Sequence, residues 1–241
     1  MRTFAIGDIH GGLKALTQVL NQLELKDGDK IIFMGDYVDG WSESAQVVDT
    51  LIDLSKKIDC IFIKGNHDFW CEDWLKNDTV NPSWYMHGGK ETMESYHDFS
   101  LAEKKEHIAF FENAKMYYLD NENRLFLHAG FTSMHGVEKE AFQKTFCLDR
   151  TLWEMTLAMD KELTSEASYY PKRLQHYKEI YIGHTPTTNY GIPTPVNIAN
   201  LWNIDTGAAF KGKITAINIE TKAYFQSDNL PGLYPNEKGR N

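Results

Sequence analysis

The sequence predicts an α/β fold, a sandwich with two central mixed sheets, and three observations carry that expectation. Roughly the first sixty residues alternate short apolar runs with longer amphipathic stretches in the order β-α-β-α-β, a pattern that makes a parallel sheet with right-handed crossovers. The second half turns strand-rich, which suits a mixed sheet packed on the first. At 241 residues, with 42% hydrophobic and 24% charged side chains, the chain is long enough for a substantial core and too apolar for disorder. A single domain over residues 1–241 is expected, with the polar end 228–241 as a loose tail.

The elements follow in order. Short apolar runs predict strands at Thr3–Ile6, Lys30–Met34 and Cys60–Ile63, then at Lys115–Leu119, Arg124–Leu127 and Glu179–Ile182. Three more are predicted at Trp202–Ile204, Ile214–Ile219 and Ala223–Gln226. Longer amphipathic stretches predict helices at Leu13–Leu23, Ser44–Lys56, His67–Lys76 and Lys90–Tyr96. Ala102–Glu112, Lys139–Phe146 and Leu148–Met159 read the same way.

Charge and composition exclude several functions. The formal net charge is -9 and the acidic residues are spread along the chain, so a nucleic-acid binder that tracks phosphates is not expected. An acidic protein binds phosphate where metal ions reverse the local sign. No apolar run approaches the length of a membrane span, and MRTFAIGDIH enters its first strand without a signal-peptide pattern. The expected location is therefore the cytoplasm, away from membranes. Cys60, Cys71 and Cys147 are odd in number and lack zinc-type spacing, so they read as free thiols. The sequence assigns no oligomeric state.

The chemistry lies just past the strands, where one grammar repeats: AIGDIHG, FMGDYVDG, IKGNHD, FLHAG and YIGHTP. In open α/β sheets the carboxyl ends of the strands form the binding crevice. Asp36 and Asp39 stand three positions apart at one such end, and like charges so close call for a cation. Asp8 and His10, two apart on an extended segment, leave the same face and can chelate one ion. Asn66 and His67 are adjacent and point different ways, so one can be a ligand and the other an acid. Oxygen and imidazole donors without thiolate favour Mn, Fe or Zn over a soft-metal site.

The ordered set GDIHG, GDYVDG, GNHD, HAG and GHTP, spanning residues 7–186, resembles the calcineurin-like metallophosphoesterases, specifically their bacterial phosphoprotein phosphatase branch. DTGAAFKGKITAINIET is similar to that branch's closing strands. The resemblance implies an α/β/β/α sandwich around two divalent ions, Mn foremost with Fe or Zn also suited. It implies that Asp8 and His10 bind the first ion, that Asp36 bridges both, and that Asn66, His128 and His184 complete the second. A water held between the ions would be acidified toward hydroxide and attack phosphorus in line. His67 would protonate the leaving group, with Asp39 orienting it and raising its pKa so that it stays charged. Asn66 and Arg150 would contact the substrate phosphate.

The chain departs from the family pattern at VDGW, where relatives commonly read VDRG; Gly40 cannot supply the missing guanidinium. Among the remaining arginines, Arg150 in CLDRTLWE matches a phosphate-binding position and Arg173 ranks below it. Arg2 and Arg124 lie at strand starts and Arg240 in the tail. WYMHGGKETMESY is similar to a W-x-x-NGG segment with His87 in place of Asn. Phe69, Trp70, Trp74, Trp84 and Tyr85 read as a packed satellite core, and His97, His107, His135 and His176 as surface or hydrogen-bonded histidines. The expected function is a serine/threonine protein phosphatase acting on phosphorylated protein or peptide. The alternatives are a symmetrical dinucleoside tetraphosphatase or other small phosphoesterase, and a phosphate-binding module without catalysis.

Overall fold

A computed structural model describes residues 2–240. The chain begins β1 (Thr3–Ile6), α1 (Leu13–Leu23), β2 (Lys30–Phe33), α2 (Ser44–Ser55), β3 (Asp59–Phe62) and α3 (Asn66–Asn77). It continues through α4 (Pro82–Trp84), α5 (Lys90–Ser95), α6 (Leu101–Asn113), β4 (Tyr117–Leu119), β5 (Arg124–Leu127), α7 (Thr145–Leu148), α8 (Thr151–Leu157) and α9 (Lys172–Gln175). The last elements are β6 (Glu179–Ile182), β7 (Val196–Ile198), β8 (Leu201–Asn203), β9 (Thr215–Asn218), β10 (Tyr224–Gln226) and α10 (Leu230–Leu233).

The strands form two five-stranded mixed sheets, ordered β10-β9-β1-β2-β3 and β4-β5-β6-β8-β7. In the first, β1, β2 and β3 run parallel, while β9 and β10 close one edge antiparallel. In the second, β5, β6 and β8 run parallel between antiparallel edges.

The two-residue side-chain period of a strand explains the layering. Phe4 and Ile6, like Ile31 and Phe33, face the helices of the first half, whereas Ala5 and Ile32 face the other sheet. Leu125, Leu127, Ile180 and Ile182 face outward on the second sheet, and Phe126 and Tyr181 turn inward. These inward residues meet Ile63, Ile204 and Ile217 in an apolar layer between the sheets, with Phe126 stacked on Tyr181 at 4.9 Å. The sandwich with two central mixed sheets is thus the observed fold.

Four local expectations need correction. Val196–Ile198 forms a strand that the sequence reading omits; at three residues it is too short to show a period. The helix expected at Lys139–Phe146 is cut down to its end, where α7 begins at Thr145, because Glu140 turns extended and its carboxylate accepts from the Thr132 and Ser133 amides. The helix expected from Leu148 starts at Thr151, since the Asp149 carboxylate accepts from the Thr151 and Leu152 amides in the manner of a cap. The loose tail is not loose up to Arg240: Leu230 and Tyr234 are fully buried, and Glu237 accepts from both the amide and the hydroxyl of Ser42. Asn241 lies outside the described residues.

Candidate metal centre

Each parallel strand delivers a polar side chain to one crevice from its carboxyl end. Asp8 and His10 follow β1, Asp36 and Asp39 follow β2, and Asn66 and His67 open α3 after β3. His128 follows β5, His184 follows β6, and Asp205 follows β8. The glycine in these motifs has a steric cause: a Cβ on Gly65 would fall on the Asp36 carboxylate, and one on Gly183 on that of Asp8. His10, Asp36, Asp39 and His184 all have positive φ, between 52° and 72°. Side chains other than glycine rarely adopt that backbone, and its clustering here marks a site whose geometry outweighs local preference.

Two donor groups share Asp36: Asp8 with His10 and Asp36, and Asp36 with His128 and His184. His10 Nε2 lies 3.8 Å from Asp8 and 3.6 Å from Asp36, and His128 Nε2 lies 3.3 Å from Asp36 and 3.3 Å from Asn66 Oδ1. The other ring nitrogens fix which donor faces inward. His10 Nδ1 donates to the Asp39 carbonyl at 2.9 Å and His128 Nδ1 to the Met34 carbonyl at 2.8 Å. A ring nitrogen that donates to a carbonyl leaves its partner's lone pair for a metal. His184 Nε2 is buried without a hydrogen-bond partner among the described residues. Such an orphan is costly unless a cation completes it.

The electrostatics agree. Burial raises Asp8 well above the carboxylate range, and the Asp205 charge adds to it; burial also lifts Asp205 to about 6. Asp36 goes the other way: against the cost of burial, His128 and His67 draw it well below its usual value. Burial pushes His184 down to about 2, aided by the positive charges of His128 and Arg150. The residues therefore fit divalent ions, which hold carboxylates ionised and imidazoles neutral.

Beside these groups, His67 Nδ1 meets Asp39 Oδ2 at 2.6 Å, with both side chains buried. Trp84 Nε1 donates to the same oxygen at 2.7 Å and Thr92 Oγ1 to the other at 2.6 Å. Burial opposes the charged His67 that the sequence leads one to expect. Burial dominates: it pushes the imidazole down to about 3 and the Asp39 carboxyl up to about 8.

The calcineurin-like phosphoesterase profile matches residues 1–207. The chain belongs to the calcineurin-like phosphoesterases. This family is one of metallophosphoesterases, so divalent ions are implied for the centre described above. Among its relatives, the asymmetrical bis(5'-nucleosyl)-tetraphosphatase PrpE of Oceanobacillus iheyensis is 29% identical over 93% of this chain and 91% of its own. The protein of the same name from Geobacillus sp. (strain WCH70) is 27% identical over 92% and 93%. In structure, a putative diadenosine tetraphosphatase superposes with a TM-score of 0.63 at 15% identity over 93% of this chain and 92% of its own. A protein serine/threonine phosphatase from Saccharomyces cerevisiae gives 0.61 at 13% identity over 95% and 80%. The dinucleotide hydrolases it resembles in sequence are thus named asymmetrical, where the sequence reading considered a symmetrical one.

Several residues of this calcineurin-like phosphoesterase centre escape sequence reading. Asp205 lies in DTG, which reads as a turn, yet its carboxylate is buried within reach of Asp8. Trp84 is fully buried, as a satellite-core residue would be, but its indole serves Asp39; Thr92 carried no signal. Trp70 packs against the cluster of Trp74 and Trp84 and Phe69 against the core of the second sheet, and both are half-buried: with Asn66, Asp73, Lys144, Cys147 and Leu148 they also line a cleft of about 310 Å³. Tyr85 is 38% exposed. Arg150 is exposed at the start of α8, near enough for its charge to bear on His184. Arg173 is spent on Phe131 O and Thr151 Oγ1, at 2.7 and 3.1 Å. His107 is buried and bonded to Tyr96 and Asp49.

Proposed function

We propose that the protein is a metal-dependent phosphomonoester hydrolase of the serine/threonine protein phosphatase type. The observation that carries this reading is the buried His67–Asp39 dyad, 2.6 Å across, set against two donor groups that share Asp36. Asp8, His10 and Asp36 would hold one ion, and Asp36, Asn66, His128 and His184 the other. When bound, the two ions neutralise phosphoryl oxygens and acidify a water. Manganese heads the candidates, with iron or zinc also compatible with oxygen and imidazole donors.

The chain's own residues do the rest. Asp39 occupies Nδ1 of His67 and leaves Nε2 to face the leaving oxygen. An incoming phosphate dianion raises the proton affinity of that imidazole, since an opposite charge favours the charged form. His67 then gives its proton to a serine or threonine alkoxide, which cannot leave unprotonated near neutral pH. Arg150, at the rim beside His184, and Asn66 steady the phosphate. Three free cysteines suit a reducing, cytoplasmic setting.

A second reading, an asymmetrical dinucleoside tetraphosphatase, is favoured by the relatives' names and by the aromatic cleft beside Asn66. Phe69 and Trp70 offer faces on which a nucleobase stacks. Initial rates of the manganese-loaded protein on a phosphoseryl peptide and on diadenosine tetraphosphate, each with and without chelator, test the two. Chelator-sensitive turnover of the peptide supports the first reading. Turnover of the dinucleotide alone overturns it in favour of the second.

A further inference from the structure

The departure at VDGW has a structural counterpart nearly 200 residues later in the chain. Arg240 lies directly on Gly40: a Cβ placed on that glycine would stand 3.3 Å from Arg240 Cγ and 3.4 Å from the His10 carbonyl. A side chain at position 40 would press on the arginine stem, on a backbone whose φ of 128° already disfavours one. The space beside the small residue is therefore taken by the stem of an arginine arriving from elsewhere.

Trp41, the other half of the departure, holds the arriving segment in place. Its fully buried ring stacks on Tyr234 at 5.1 Å and 25°, and its Nε1 donates to the Ala208 carbonyl at 2.7 Å. Gly239 presses on the same ring, where a Cβ would come within 2.7 Å of Trp41 Cζ2 and 2.8 Å of the Ala209 carbonyl. Ser42 donates twice to Glu237, the Tyr234 hydroxyl bonds Glu43, and the Arg240 amide donates to the Ala209 carbonyl at 2.9 Å. Residues 234–240 are thus tied to the GW turn, and what they present there is Arg240.

The guanidinium itself is poised. Its carbon sits 5.4 Å from the centre of the Phe210 ring, which orients the plane. Nε is buried with no hydrogen-bond partner among the described residues, and the side chain pairs with none of the buried carboxylates nearby. Its charge bears on His10, His67, Asp39 and Asp205. A fixed cationic donor left unpaired beside a metal site is suited to an anion that arrives there. The charge of Arg150 bears on a different member of the centre, His184.

We propose that Arg240 is a phosphate-binding residue of this centre, carried across the gap at Gly40 by a closing segment that Trp41 anchors. The inference rests on the phosphoesterase reading and adds a residue to its substrate grip. Arg240 bears on His10 and His67 and Arg150 on His184, so both cations act on the centre that a phosphoryl group would enter.

The test uses the full chain, manganese-loaded, as wild type, Arg240→Ala and Arg240→Lys. Binding of inorganic phosphate is read by calorimetry, and hydrolysis of p-nitrophenyl phosphate as KM and kcat. Arg240→Ala should weaken phosphate binding and raise KM about tenfold or more, with a smaller change in kcat. Lysine should restore part of this, because a point charge lacks the fork. Added guanidinium chloride at millimolar concentration should restore activity to Arg240→Ala and not raise that of the wild type. Melting curves confirm that the variants fold, and Glu237→Gln, which loosens the segment without touching the guanidinium, should raise KM in the same direction. An active wild type whose Arg240→Ala variant binds phosphate within twofold and ignores guanidinium overturns the proposal. A wild type that cleaves no phosphoester overturns the phosphoesterase reading instead, and phosphate calorimetry still reports on Arg240 separately.

Discussion

His67→Asn separates proton donation from every other role of the dyad. His67 is 2% exposed, and its ring packs edge-on against His10 at 5.1 Å and Trp70 at 5.0 Å. Asparagine keeps a polar group in that space and removes the transferable proton. A positioned general acid is worth about 10²- to 10⁴-fold in rate, or about 3 to 5 kcal/mol of barrier. The full loss should appear in kcat for a phosphoseryl peptide, whose alkoxide needs the proton. An aryl phosphate, whose phenolate leaves unassisted, should lose less than about tenfold. Metal content, measured alongside, should stay at the wild-type value, since His67 belongs to neither donor group. Equal losses on both esters with metal retained would refute the assignment and leave His67 a binding residue. The same variant informs the second reading: a nucleotide leaves as a phosphate anion, so dinucleotide cleavage by this centre should survive the substitution.

Other outcomes follow from the same geometry. Asp36→Asn, at the one residue common to both donor groups, should lower metal stoichiometry as well as rate; elemental analysis giving an unchanged value would remove Asp36 from the shared position. Trp84→Phe deletes the indole donor to Asp39 and should slow alkyl ester hydrolysis about tenfold at a stability cost of about 1–3 kcal/mol, read by kcat and denaturant midpoint. Gly183→Ala puts a methyl on the Asp8 carboxylate and should abolish metal binding or folding, as calorimetry and circular dichroism will report. Far from the site, hydrogen bonds from Arg2 hold Asp29 well below the usual carboxylate range. A depressed folded pKa contributes stability that is complete above the unfolded value of about 3.9 and is lost as pH falls below it. Asp29→Asn should therefore destabilise at neutral pH and flatten the acid limb below about pH 4, as melting temperature against pH will show.

The parts of this molecule that sequence reveals are those whose cause is local. A ligand at a strand end needs a glycine beside it, because a Cβ on Gly65 or Gly183 would collide with a carboxylate. Residue type and spacing thus travel together in GNHD and GHTP, and the inward and outward alternation of Phe126 against Leu125 and Leu127 is equally local. What stays hidden is set by distance along the chain or by depth. Asp205 has no second donor beside it, so DTG passes for a turn until β8 is placed parallel to β6. Thr92 reaches Asp39 across 53 positions, after a kink in which Gly88 takes a φ of 101°. The electrostatics of His67 are hidden for a different reason: the sequence supplies its neighbour Asp39 but not the burial that opposes its charge. Arg240 combines both difficulties. A polar segment reads as solvated because composition reports what water tolerates, whereas its docking depends on Trp41, a residue whose own anomaly is visible only as an interrupted motif. A broken motif and a polar tail are each unremarkable alone. When the large residue of the broken motif is buried against that tail, the two departures compensate each other, and the residue the tail presents belongs among the candidates for the missing role.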